Sequence, residues 1–238
     1  MTHALLPGYC VTCKGRLSPT NQCLCDDCIS ALPWLTSQCC CCALPLAKQN
    51  ENLIILCPEC QHKAPPFRRC VAAFHYQKPI NKLIAAIKTN PHAPELPQLS
   101  ELLAAVVNES YEGSERPHII IPLPLHWRKL TRRGFNQSHS IALLLSQHLE
   151  NTQLRNDICY RLSHSKPQHL QSKRQRFNFM RNAFTAHDRL DGQSVAIVDD
   201  VVTTKATAIA AASSLVKAGA KHVDIWCIAR TGWHIDAP

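Results

Sequence analysis

Ile80, Leu83, Ile84 and Ile87 recur at the spacing of one side of a helix. Pro91, Pro94 and Pro97 then break the chain, and a second helix is predicted from about Gln98 to Val107. His118 to Ile121 is a short apolar run closed by Pro122 and Pro124, the pattern of a strand. Ser138 to Leu149 reads as a helix. Ser194 to Val198 reads as an apolar strand that ends on Asp199 and Asp200. Ala206 to Lys217 reads as a helix stopped by Gly219, and Val223 to Ala229 as a further apolar strand. Strand, loop, helix, strand is a parallel crossover unit, so this stretch is predicted to be α/β. The first sixty or so residues read instead as short and loop-rich. Ala64-Pro65-Pro66-Phe67 has the character of a stiff connector. The expected division is therefore a small domain over 1–63 and an α/β domain over 64–238.

With 45% hydrophobic residues the chain can bury a core, which excludes wholesale disorder. No run approaches the roughly 20 apolar residues of a membrane span. Met1 to Cys10 lacks the basic-then-apolar pattern of a secretory signal, so a cytoplasmic protein is expected. The net charge of +9 points to anionic partners such as phosphates, nucleic acid or acidic lipid. Arg128, Lys129, Arg132 and Arg133 form one basic cluster. Lys173, Arg174, Arg176 and Arg181 form another, with Phe177 and Phe179 between them. Basic residues beside aromatics suit single-stranded nucleic acid, while a solvated surface face is the plainer alternative for each cluster.

Twelve of the 14 cysteines lie between Cys10 and Cys70. In a reducing compartment so local a cluster indicates metal binding over disulfides. Four CxxC pairs stand in order: Cys10/Cys13, Cys25/Cys28, Cys39/Cys42 and Cys57/Cys60. Each pair forms a knuckle offering two thiolates, and two knuckles complete the four ligands of a tetrahedral Zn²⁺. The assignment is one zinc to Cys10, Cys13, Cys25 and Cys28, and a second to Cys39, Cys42, Cys57 and Cys60. Both ions are expected to be structural, because all four positions on each are filled. Cys40, Cys41 and Cys23 leave other registers open, as does an interleaved pairing of the first knuckle with the third.

Ile197 to Thr207 carries the second candidate site. An apolar strand delivers Asp199 and Asp200 at its carboxyl end, and a loop with Thr203, Thr204, Lys205, Ala206 and Thr207 leads into a helix. Ligands of open α/β sheets bind at that edge. Loop N–H groups and the helix N-terminus favour an anion, and threonine hydroxyls add donors. The two carboxylates can accept from vicinal hydroxyls or hold Mg²⁺ through water. Phosphate, diol and metal together describe a phosphorylated ribose. A strand followed by an ordinary helix cap is the structural alternative.

The segment Ile197-Val198-Asp199-Asp200-Val201-Val202-Thr203-Thr204-Lys205-Ala206-Thr207 resembles the phosphoribosyl-pyrophosphate (PRPP) motif of type I phosphoribosyltransferases. The wider pattern resembles the ComF/GntX family. Ile121-Pro122-Leu123-Pro124-Leu125-His126 is similar to that family's strand and pyrophosphate loop. Arg132-Arg133-Gly134-Phe135-Asn136-Gln137 matches its RRGFNQ block. Gln168, Leu170, Arg176 and Ala183-Phe184 fall where its flexible loop would lie, and the tandem zinc ribbon belongs to the same family. The resemblance implies a parallel-sheet phosphoribosyltransferase-type domain behind a small zinc-ribbon domain. It implies that Asp199 and Asp200 hold ribose hydroxyls, that 203–207 hold the 5′-phosphate, and that Leu123, Pro124, Leu125 and His126 face pyrophosphate, with Arg132 and Arg133 adding charge.

The implied ligand is PRPP or another phosphorylated ribose, accompanied by Mg²⁺. The implied role is natural competence and DNA uptake, with single-stranded DNA or nucleotides handled in the cytoplasm and partners among the competence machinery. An active phosphoribosyltransferase with an unknown acceptor is the alternative function, and a redox or metal sensor a third. This chain departs from the family in two places: Lys205 stands where the family has Gly, and Phe179 where it usually has Asn. Lys205 is expected either to distort the loop or to sit strained, with its ammonium adding charge to the pocket and its bulk hindering turnover more than binding.

Overall fold

The computed structural model describes residues 8–18, 21–47, 55–162, 183–187 and 189–232. Its centre is a five-stranded, wholly parallel sheet. The strands are β1 (Cys70–His75), β2 (Ile119–Pro122), β3 (Gln153–Leu154), β6 (Ser194–Val202) and β7 (His222–Arg230), in the order β1-β7-β6-β2-β3. A small antiparallel pair, β4 (Cys159–Arg161) with β5 (Phe184–Ala186), stands beside it. The α/β expectation holds, and it holds for a physical reason. Central strands buried on both faces read as continuous apolar runs, as Ser194 to Val198 and Val223 to Ala229 do.

Alternation along the strands divides the core into two layers. Val71, Ala73, Ile120, Ala196, Val198, Trp226 and Ile228 face α3 (Ile80–Thr89), α4 (Glu95–Ser110) and α6 (Gln137–His148). Ile119, Ile121, Val195, Ile197, Ile225 and Cys227 face the other way, against α7 (Ala206–Lys217) and the second cysteine region. The four apolar positions of α3 are all buried, as their helical spacing predicts. α4 begins at Glu95 and not near Gln98. Pro97 is therefore inside its first turn, where a missing N–H costs no helical bond. β6 runs on past the predicted end at Val198 to Val202, so both acids lie on the strand itself.

The cysteine regions lie on opposite faces. Cys10, Cys23 and Leu24 join the layer of α3 and α4, and the backbone N–H groups of Gln22 and Cys23 donate to Gln98 Oε1 at 3.3 and 3.4 Å. Cys39, Cys42, Cys57 and Cys60 join the layer of α7. Between them the chain crosses the free edge of β1. Leu35 N–H donates to Ala73 O, His75 N–H donates to Pro33 O, and the Trp34 ring lies 4.6 Å from that of Phe74. An exposed strand edge is thereby covered. A charge is buried in the sheet at Asp224 on β7, which accepts from Arg68 Nε and Nη2 at 3.0 and 2.5 Å and from the Tyr111 hydroxyl at 2.5 Å. Such a buried carboxylate is tolerable because its acceptor capacity is filled.

Candidate phosphate-binding site and two cysteine clusters

At the carboxyl end of β6 the pleat sends the two acids to different surroundings. Asp199 Oδ1 accepts from Ser138 Oγ at 3.0 Å and from the backbone N–H of Asp200 at 2.9 Å. Burial, then the neighbouring charge of Asp200, pushes the Asp199 carboxyl well above its ordinary range. Asp200 is buried and pairs through Oδ2 with Lys88 Nζ on α3 at 2.6 Å. Neither Lys88 nor Ser138 carries a motif visible in sequence.

Beyond Val202 the loop turns into α7 and lines a depression with Asp199 and residues 201–208. Its volume is about 40 Å³, the space of a few waters, which suits a phosphate-sized group. Thr203 and Thr204 are exposed, and within the described residues no hydrogen bond engages the hydroxyls of Thr203, Thr204 or Thr207. α7 has no side-chain cap, so the first-turn N–H groups face the depression without one.

Lys205 sits at the helix N-cap with φ of 62°, in the left-handed region that favours glycine. The strained alternative is the one adopted. The expectation for its side chain is overturned, however. The ammonium points away from the depression, is only 5% exposed, and meets Glu59 Oε2 at 2.8 Å and Cys60 Sγ at 3.9 Å. Burial acts to lower its pKa, but Glu59 and the sulfurs of Cys42 and Cys60 outweigh this and hold it up. Lys205 lines the depression, but its ammonium is engaged by Glu59 and Cys60.

The Arg132-Arg133-Gly134-Phe135-Asn136-Gln137 block joins α5 (Trp127–Arg133) to α6. Gly134, at φ of 78°, ends α5 in the left-handed conformation that a side chain resists. Asn136 caps α6 through Oδ1 to Ser138 N–H at 3.1 Å, while its Nδ2 donates to Leu123 O at 3.1 Å. The block thus ties the 123–126 loop to the helix that holds Asp199. Arg133 donates to Gln137 Oε1 at 2.8 Å, and Arg132 is exposed. No residue of α5 is buried: Trp127 is 52% exposed, Leu130 is exposed as well, and the Arg128 guanidinium stacks over the Trp127 ring. His126 caps α5, accepting from Arg128 N–H at 3.3 Å. Partial burial and then the charges of Arg161, Arg128 and Lys129 lower its pKa. Arg161, on β4, also feels the charge of Asp199 and packs over Phe184. It is a cation at this edge that no local pattern announced.

The sulfurs of Cys10, Cys13, Cys25 and Cys28 lie within 4.8 Å of one another, and so do those of Cys39, Cys42, Cys57 and Cys60. Neighbouring knuckles pair, and Cys23, Cys40 and Cys41 fall outside both groups. Tetrahedral Zn–S bonds of about 2.3 Å place sulfurs about 3.8 Å apart. Cys13 and Cys25 stand at 3.6 Å, and Cys42 and Cys57 at 3.7 Å, so both groups could hold a metal ion. Knuckle N–H groups point at sulfur, as Cys57 N does to Cys39 Sγ at 3.3 Å. Burial raises the thiols of Cys10 and Cys39, but backbone N–H donors prevail and bring them down to about 6 and about 7. Cys42, whose burial prevails, is pushed up to about 11.

The flexible-loop positions Gln168, Leu170 and Arg176, the basic cluster Lys173 to Arg181, and Phe177 and Phe179 lie outside the described residues. Among the described residues no helix is long and apolar enough to cross a membrane.

A parallel α/β sheet with an acid pair and a hydroxyl-rich loop at its carboxyl edge, flanked by two four-cysteine groups, defines a phosphoribosyltransferase-type domain with a paired ribbon. The chain is 33% identical over 228 residues to the DNA utilization protein YhgH of Shigella flexneri, covering 95% of this chain and 98% of that protein. It is 29% identical to competence protein F of Haemophilus influenzae, covering 93% and 96%. It therefore belongs to the family of YhgH and competence protein F, the ComF/GntX family. A purine phosphoribosyltransferase from Pyrococcus horikoshii overlaps 60% of this chain and 78% of its own at 24% identity, with a TM-score of 0.38. No family model matches the chain.

Proposed function

We propose that this protein handles single-stranded DNA or nucleotides in the cytoplasm, in DNA uptake, through a site that holds a phosphorylated ribose such as PRPP. The observation that carries the reading is the convergence at one sheet edge of Asp199, the free hydroxyls of Thr203, Thr204 and Thr207, and the uncapped start of α7. The loop and helix would take a phosphate, and Asp199 a ribose hydroxyl. Arg161 and His126 flank the side from which a pyrophosphate or the next nucleotide would enter. Mg²⁺, where PRPP is the ligand, would neutralise pyrophosphate charge. The exposed α5, with Trp127 among Arg128, Lys129, Arg132 and Arg133, offers a base-stacking platform beside phosphate-binding cations. The names of the related DNA utilization and competence proteins agree with this role. We assign zinc to both cysteine groups, with the ribbon over 1–63 supporting the α/β domain over 64–238. Proteins of the competence machinery would be its partners.

Calorimetric titration of the full chain with PRPP and Mg²⁺, beside a 5′-phosphorylated oligonucleotide, tests the reading. Binding that is lost on Asp199→Asn is expected. No binding of either ligand by the unaltered protein would sink it.

The second reading is phosphoribosyl transfer, in which a nitrogen forms a bond to C1′ as the C1′–O bond to pyrophosphate breaks. The Lys205 ammonium is held by Glu59, which favours an open approach to C1′. Pyrophosphate release from PRPP in the presence of purine and pyrimidine bases decides between the two.

A further inference from the structure

The phosphate loop is attached from behind to the second cysteine cluster, and to both of its knuckles. From the 57/60 knuckle, Glu59 Oε2 and Cys60 Sγ receive the Lys205 ammonium. From the 39/42 knuckle, Cys42 O accepts from Arg230 Nε at 3.0 Å. The same guanidinium, 2% exposed, donates through Nη1 to Val202 O at 3.0 Å and to Thr203 O. The loop is therefore held at its start through Arg230 and at its end through Lys205. Among the described residues no hydrogen bond of this kind joins it to Cys10, Cys13, Cys25 or Cys28.

We propose that metal bound by Cys39, Cys42, Cys57 and Cys60 sets the shape of the phosphate loop through Lys205 and Arg230, so that metal binding there and anion binding at the loop strengthen each other.

The cluster offsets two costs. A left-handed backbone strains a residue other than glycine. An ammonium withdrawn from water needs compensating negative charge. Glu59 supplies part of that charge, but its side chain is 53% exposed and screened by solvent. Four thiolates around a divalent ion leave a formal charge of minus two, adjacent to Nζ. The loaded cluster is thus the larger partner. Outer groups of this kind orient ligands and tune metal affinity. A glycine at 205 would reach the same backbone shape without strain and without the tether. Lysine makes that shape conditional on what lies beneath it. Coupling between two binding events is reciprocal, so a ligand that prefers the tethered loop must also retain the metal.

The test builds on the reading that 203–207 hold a phosphate, yet separates from it. Metal release from the full-length protein to a chelator is followed with and without PRPP and Mg²⁺, for the unaltered chain, Lys205→Met and Lys205→Gly. In the unaltered chain PRPP is expected to slow release from the second cluster about tenfold, within the usual range of coupling. Lys205→Met is expected to weaken metal binding there several-fold without PRPP, and to abolish the PRPP effect. Lys205→Gly should retain PRPP affinity better than Lys205→Met while also losing the coupling. PRPP binding that leaves metal release unchanged in the unaltered protein would overturn the proposal. If PRPP does not bind at all, the functional reading fails. The metal affinity of Lys205→Met then decides the tether alone: an undiminished affinity overturns it and a reduced one supports it.

Discussion

Lys88 Nζ lies 2.6 Å from Asp200 Oδ2, joining a helix near the start of the α/β region to the acid pair near its end. Asp200 is buried, whereas the Lys88 side chain is 27% exposed, so the two partners differ in what they lose alone. Lys88→Ala leaves a buried carboxylate without its counter-charge and is expected to cost about 1–3 kcal/mol of stability. Asp200→Asn lets Lys88 turn to water and should cost less. The double variant should be milder than the sum of the two. Urea unfolding of the four proteins measures the coupling, and strict additivity would show that the pair is incidental.

The raised pKa of Asp199 makes a prediction about pH. Its folded value lies above its unfolded value of about 3.9. The folded state therefore keeps a proton that the unfolded chain has released. Stability falls as pH rises from about 4 towards the folded value and levels off beyond it. Asp199→Asn removes this decline. The variant's melting temperature relative to the unaltered protein should be higher at pH 7 than at pH 4, while PRPP affinity collapses. A difference that does not change with pH would refute the burial argument.

What could be read in the sequence follows from where the determining interactions lie. Ala206 to Lys217 was legible to the residue because its apolar spacing and the following Gly219 are local signals. The CxxC knuckles were legible because each is a complete local unit. The pairing of neighbouring knuckles was read as the structure has it, although spacing alone left the interleaved pairing open. β1, β3, β4 and β5 carry no local signal: they are two to six residues long and owe their conformation to neighbouring strands. Lys88, Ser138, Arg161 and Arg230 reach the site from distant elements and carry no motif. For Lys205 the backbone strain could be foreseen from residue type. The direction of its side chain was set by Glu59 and Cys60, far upstream, and no reading of the loop alone contains them.

Trp127 projects from a helix that buries nothing, beside the candidate pyrophosphate loop. If bases stack there, Trp127→Ala should weaken binding of a labelled oligo-thymidine by about 1–3 kcal/mol, read by fluorescence anisotropy. Affinity should also fall steeply between about 50 and 200 mM salt, and Arg132→Ala should lower that salt slope by about one. Unchanged affinity in Trp127→Ala, or a flat salt response, would remove α5 from the nucleic-acid surface. Neither substitution should alter stability appreciably, because neither side chain is buried in the core.

The two cysteine groups should differ in how readily they give up metal. In the first, only Cys10 is buried; Cys13 is exposed and Cys25 and Cys28 are partly so. In the second all four are buried in the core layer that includes α7, with Lys205 beside them. A chelator removes metal through attack on accessible ligands, whereas a closed site must first open. Purified protein should contain two zinc ions per chain and release them to excess chelator in two phases of equal amplitude. Cys13→Ser should eliminate the fast phase alone. Cys57→Ser should eliminate the slow one and also disturb the α/β domain, because all four cysteines of the second group are buried in its core, against Cys10 alone in the first. Loss of the first ion should leave that domain folded, with amide protection on β6 and β7 retained. A single release phase, or the slow phase disappearing with Cys13→Ser, would show that burial does not govern the two sites independently.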